Sequence, residues 1–252
     1  MNTRGVLTLF NKETARFREV WSQTLAAPVV SNLLFMTIFG VAFAGRGGTS
    51  SQEYLSALVP GLAAMGIMIN ALQNPLGSLI VAKYTNFIGE LLTIPLRGFE
   101  VALAYIGAAV SRGVLVGIIT VAVGSLFAPV SFAHPLLIIL FAVLLGGTFA
   151  SIGTICGAIF NDFDQVAMVQ NFIVTPLIYL GGVFFSVGAL PGVLGAVARF
   201  NPVFYLIDGF RYGFIGTADA PLALSLLVTS VCFVLTFSIA SWIFQTGYKL
   251  KT

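Results

Sequence analysis

The chain has 252 residues, 58% of them hydrophobic and only 8% charged, with a mean hydropathy of +1.01. Those values exclude a soluble globular domain and define a polytopic membrane protein, so residues 1–252 read as one transmembrane domain with no stretch left for a soluble catalytic unit. The net charge of +3 is small, no nucleic-acid partner is expected, and the basic residues inform mainly through where they fall.

The first segment, 4–21, is amphipathic. At about 100° per residue, Val6, Leu9, Phe10, Phe17, Val20 and Trp21 share one arc, with Arg4, Lys12 and Arg18 off it and Arg16 near its edge. This predicts an interfacial helix in the headgroup plane. Glu13 falls inside the apolar arc, where it either meets protein or frays towards water, and both readings stay open. The segment has no cleavable apolar core, so no signal peptide is expected.

Six runs are long enough to cross a bilayer, which takes roughly 20 apolar residues: 24–44, 54–82, 101–127, 136–160, 166–186 and 221–244. In the second run, Asn70, Gln73, Asn74 and Ser78 fall on one helical face, and Pro75 predicts a kink. Polar amides against lipid are costly, so that face looks at a pathway or makes interhelical hydrogen bonds. The connection 83–97 is too polar to span. Phe87, Leu91 and Leu92 there predict a short helix ended by Pro95, a docking surface for a soluble partner.

The third run holds Arg112, flanked by Ala109, Gly113 and Gly117 at close-packing spacing, and Arg112 is expected to take a structural role, paired with a carbonyl or with Glu100, a substrate role being the alternative. Gly153 and Gly157 mark a close contact on the fourth run. Asn161-Asp162-Phe163-Asp164 is an acidic turn, read as solvated and not as a metal site. Asn171, Thr175 and Tyr179 form a second polar stripe on the fifth run. Cys156 and Cys232 lie in apolar runs and read as packed thiols.

Residues 187–216 remain largely apolar yet contain Pro191, Gly192 and Gly195, the Asn201-Pro202 turn and then Asp208-Gly209-Phe210-Arg211. Irregular apolar backbone at membrane depth is tolerated only when it is buried in protein or lines a cavity, so this stretch predicts a re-entrant helical hairpin. Asn201, Pro202, Gly209, Phe210 and Arg211 are assigned to an outer gate, with Gly209 as its flexible joint. Six spans put eight basic residues (Arg4, Lys12, Arg16, Arg18, Lys83, Arg97, Lys249, Lys251) on one side and three (Arg46, Arg199, Arg211) on the other. The basic excess marks the cytoplasmic side, leaving the hairpin outside and both termini inside.

The order of these parts resembles the integral-membrane permeases of type-2 ABC transporters, a bacterial exporter family that includes polysaccharide, nodulation-factor and drug exporters. The resemblance rests on the basic helix before the first span, Tyr54-Leu55 with Val59-Pro60-Gly61, Glu90-Leu91-Leu92 with Pro95, Tyr179-Leu180-Gly181-Gly182-Val183-Phe184, Asn201-Pro202, and Gly209-Phe210-Arg211-Tyr212-Gly213. It implies a homodimer in the bacterial inner membrane, with two copies of a separate ATPase subunit docked on the cytoplasmic loops. By the same resemblance, 4–21 is a connecting helix and 83–97 a coupling helix. Glu13, Arg16, Lys83, Tyr84, Asn86, Glu90, Leu91 and Arg97 then stand at the ATPase contact, and Asn70, Gln73, Asn74, Asn171, Thr175 and Tyr179 line the pathway.

No G-x-x-x-x-G-K-[ST] phosphate loop occurs, so ATP and Mg are expected on the partner and no cofactor or catalytic residue on this chain. No carboxylate lies deep in a span, which disfavours an ion-coupled carrier. With 23 Phe, the expected cargo is amphipathic or hydrophobic: a lipid, a lipid-linked glycan or a drug-like molecule. The alternatives are a stand-alone lipid flippase or channel, or a membrane assembly protein without ATP coupling.

Overall fold

The computed structural model describes residues 2–19, 26–44 and 51–250, and every regular element among them is helical. In chain order these are α1 (Thr3–Glu19), α2 (Ala27–Ala44), α3 (Ser51–Tyr84), α4 (Ile88–Thr93), α5 (Gly98–Gly124), α6 (Pro135–Ile159), α7 (Phe163–Val169), a π-helical turn (Gln170–Val174), α8 (Thr175–Leu180), a 3₁₀ turn (Val187–Ala189), α9 (Gly192–Phe200), α10 (Pro202–Ile215) and α11 (Leu222–Thr246). The expected turn around Arg46, part of the first span, Trp21 and Lys251 lie outside the described residues, as do the side chains of Phe17 and Arg18.

Among the described residues, four helical stretches are long and apolar enough to cross a membrane: Tyr54–Tyr84, α5, α6 and α11, while α2 contributes a shorter apolar stretch, Ala27–Phe39. The expected fifth span, 166–186, departs from a single helix. It starts at Phe163, widens into a π turn where the Thr175 amide donates to the Gln170 carbonyl five residues back, and stops at Leu180. Pro176 explains the widening, because it brings no N–H and its ring clashes with the carbonyl four residues earlier. The connection 83–97 is likewise only partly helical: α4 stops at Thr93, before the extended Ile94 and Pro95.

α3 is the centre of the bundle, packed along both α5 and α6, which also meet each other. Glycines let the backbones approach. A Cβ on Gly153 would stand 2.1 Å from the Leu72 carbonyl oxygen, and one on Gly113 2.8 Å from that of Ile67. Without a side chain, each turn of α5 and α6 can press directly on the α3 backbone, where dispersion contacts are densest.

The molecule has two distinct ends. At one lie α1, α4 and the polar ends of α3, α5, α6 and α11, tied by Lys83 Nζ to the Ala158 (2.6 Å) and Phe160 (2.9 Å) carbonyls and by the Gly98 amide to Gln245 Oε1 (2.8 Å). At the other, the Tyr54 hydroxyl donates to the Phe184 carbonyl (2.8 Å) and the His134 amide to that of Gly213 (2.8 Å). The stretch 187–216 is a helix–turn–helix, α9 then α10, at this second end.

Candidate functional site

At the α1/α4 end, α1 packs along α5. Val6 and Leu9 are buried, Phe10 sits over Gly107, and Lys12 Nζ stands 3.5 Å above the Phe87 ring. Glu13 is only 3% exposed, so its expected place facing a partner is corrected. It turns inward to the Ser78 and Tyr105 hydroxyls, with Arg16 3.9 Å away. Loss of water raises its pKa above the ordinary carboxylate value, partly opposed by the Ser78 hydroxyl and the charges of Arg16 and Lys12. An apolar arc with one acid in it is what a helix needs to dock on a bundle that offers hydroxyls at that one point.

The remaining residues assigned to this end divide by exposure. Glu90 and Asn86 are exposed, Asn86 with a left-handed φ of 56°, while Leu91 is buried and fixes α4 to the bundle. Tyr84 is exposed, donates to Asp162 Oδ1 (3.0 Å) and stacks on Phe163. Lys83 satisfies the terminal carbonyls of α6, a capping task. Arg97 is exposed at the start of α5, and its backbone N–H donates to Glu100 Oε2 (2.9 Å). Glu100 also accepts from the Asn2 amide (2.7 Å), tying α1 to α5.

In the bundle, Asn70 and Asn74 are buried, and the Asn70 amide donates to the Gly66 carbonyl (3.0 Å). Gln73 Nε2 reaches Gln170 Oε1 (3.3 Å), so the polar side chain that meets α3 from the π turn is Gln170. Asn171 beside it is exposed, Thr175 is half-buried and Tyr179 is 39% exposed, with its ring against Phe184. The stripe on α3 thus meets the π turn through Gln73 and Gln170, a residue outside the expected second stripe. Gln170 was not singled out because a straight helix puts Asn171, not Gln170, on the stripe with Thr175, and the π turn shifts the phase. Arg112 contacts Asn74 Oδ1 (3.3 Å), which corrects its expected pairing with Glu100, a residue held at the far end of α5.

At the second end, Asn201 caps α10. Its Oδ1 accepts from the Val203 amide (3.0 Å) and its Nδ2 donates to the Leu177 carbonyl (2.6 Å), with Pro202 pre-set for the first helical turn. Gly209, Phe210 and Arg211 do not form a turn, because all three lie within α10. Nor is Gly209 a joint: a Cβ there would stand 2.2 Å from the Phe141 ring, so it is a helix-packing position. The Arg211 guanidinium donates to the carbonyls of Gly182, Val183 and Phe185. Asp208 accepts the Asp219 (2.9 Å) and Ala220 (3.0 Å) amides, and Asp219 accepts from Ser186 (2.7 Å) and the Gly188 amide (3.3 Å). Asp219 and Ser186 escaped the sequence reading because their partners are 33 residues apart, outside any local period. Tyr54, Arg211 and Asp219 line a cavity of about 380 Å³.

The long apolar helices make this a membrane-embedded helical bundle, with the short α1 and α4 at one end and the α9–α10 helix–turn–helix at the other. Residues 4–215 match the family model for ABC-2 type transporters, and the chain belongs to that family. It is 36% identical to the inner membrane transport permease YadH of Escherichia coli K12 over 247 residues, covering 97% of this chain and 96% of the relative. Nodulation protein J of Sinorhizobium fredii is 22% identical over 231 residues (89% and 88%), and that of Rhizobium leguminosarum bv. trifolii 27% over 197 residues (74% and 71%).

Proposed function

We propose that this chain is the membrane subunit of an ATP-driven exporter in the bacterial inner membrane. Two copies form the pathway, two soluble ATPase subunits dock at the α1/α4 end, and an amphipathic or hydrophobic cargo leaves past the α9–α10 cap. On this reading the chain crosses the membrane six times, with both termini cytoplasmic. The observation that carries it is α4, a short helix between two spanning helices with Glu90 and Asn86 exposed and Leu91 anchored, on a chain that has no phosphate loop of its own. A stand-alone flippase has no use for such a surface. The same end collects Arg4, Lys12, Arg16, Lys83, Arg97 and Lys249, which supports a cytoplasmic placement. The inner-membrane location is supported by the name of the E. coli relative.

The test is Glu90→Lys in the permease–ATPase complex reconstituted in vesicles. Reversing an exposed charge leaves folding intact but breaks the coupling contact, so cargo no longer stimulates ATP hydrolysis and export falls. Unchanged stimulation and export would refute the assignment of α4.

A further inference from the structure

A cavity of about 220 Å³ lies between α2, α3 and α5, walled by Ser31, Asn70, Gln73 and Arg112 beside the apolar Met65 and Ile69. Its hydrogen-bond inventory is unbalanced. The guanidinium offers five donors and no acceptor, yet among the described residues its one hydrogen bond is the 3.3 Å contact to Asn74 Oδ1. Arg112 Nε and Asn74 Nδ2 are both buried without a partner. The side-chain NH2 groups of Asn70 and Gln73 donate to the Gly66 carbonyl and to Gln170, and no hydrogen bond joins either amide to Arg112. The carboxylates of the neighbouring elements are engaged elsewhere: Glu100 with Arg97 and Asn2, and Glu13 with Arg16. A cation at membrane depth costs several kcal/mol unless an acceptor compensates it.

We propose that this cavity binds the oxyanionic head of an amphiphile, an ionised phosphate or carboxylate. Such a group accepts only, and it matches the planar donor fork of Arg112 in two parallel bonds. Met65 and Ile69 give the adjoining alkyl chain an apolar wall. The volume lies below the roughly 300–1,000 Å³ of pockets that enclose a whole drug-sized ligand, so it takes a head group and leaves the chain outside. The occupant is a membrane lipid or the exported cargo. The cargo alternative rests on the export reading, whereas binding itself does not.

The experiment measures binding of dodecyl phosphate to the purified chain in phosphatidylcholine nanodiscs, with no ATPase present. The expected result is saturable binding that Arg112→Gln weakens about 10- to 100-fold, the loss of a charged hydrogen-bond partner, and that Arg112→Lys weakens less. Should Arg112→Gln not fold, Ser31→Glu decides: it brings a carboxylate to the cavity wall without touching the Arg112 packing, and dodecyl phosphate should lose a similar factor. No saturable binding to the wild type, or unchanged affinity in the folded variants, overturns the site even in a chain that exports. Native mass spectrometry from nanodiscs containing phosphatidylglycerol then separates the sources. Anionic lipid retained by the wild type and lost with Arg112→Gln assigns a lipid, and intact dodecyl phosphate binding with no retained lipid assigns the cargo.

Discussion

Arg211→Ala tests how the α9–α10 cap is fastened. The guanidinium donates to three carbonyls of the 182–185 segment that follows α8. Two of these contacts, to Val183 and Phe185, stand at 3.5 Å, the outer edge of hydrogen bonding, so only the bond to Gly182 counts fully. A charge-assisted bond contributes about 1.5–3 kcal/mol. Val183 and Phe185 border the 380 Å³ cavity with Ser186 and Asp219, where water can replace a lost donor, so the loss of the Gly182 bond sets an expected cost of about 2 kcal/mol. Asp208 keeps its two backbone amides and adds little to the loss. For a chain of this size that is roughly 4–8 °C in Tm. The assay pairs thermal unfolding in detergent with limited proteolysis at 181–190 and export by the reconstituted complex. The cap should become protease-sensitive and export less tightly coupled while ATPase docking is normal. A Tm within about 1 °C of wild type with unchanged proteolysis would refute the clamp. A collapse of stability with normal coupling per folded complex would make Arg211 a structural anchor and remove its gating role.

Gly153→Val places a Cβ 2.1 Å from the Leu72 carbonyl oxygen, more than an ångström inside the ~3.3–3.6 Å at which carbon and carbonyl oxygen meet, and should cost about 3 kcal/mol or more because backbone must move. Gly89→Ala, with nothing within 4 Å of the new Cβ, is the neutral control, and equal melting of the two variants would refute the contact. Glu13 holds its proton more tightly in the folded chain than its ordinary value of 4.5 implies, so α1 docking is firmest below that pH and weakens as pH rises through the folded value. Hydrogen-exchange protection of α1 should therefore fall as pH is raised from below 4.5, and Glu13→Gln should abolish that fall; protection that rises with pH would contradict the sign. If Gln73 and Gln170 mark a pathway, cysteines at Asn74 and Thr175 should react with small polar thiol reagents to an extent that changes when nucleotide traps the complex, whereas full protection in every state makes the stripes bundle packing.

Much of this protein is written in local chemistry. Uncharged apolar runs place the long helices, because a backbone in lipid must satisfy its hydrogen bonds within the segment. Pro95 ends α4, Asn201-Pro202 starts α10, and Gly153 and Gly157 mark a contact, since each of these effects acts within a turn or two of the residue itself. The ordered motifs from Tyr54 to Gly213 identify the family for the same reason: they are short and contiguous. The tertiary structure decided everything that depends on how one helix is rotated against another. It turned Glu13 inward to Ser78 and Tyr105, gave Arg112 to Asn74 and not to Glu100, and set Lys83 on the end of α6. It also brought Gln170, outside the expected stripe of Asn171, Thr175 and Tyr179, against Gln73 and made Gly209 a seat for Phe141 where a hinge was expected. Periodicity assigns a residue to a face, but which neighbour that face meets is fixed by packing between segments distant in the chain. A single π turn at Gln170–Val174 is enough to shift that face.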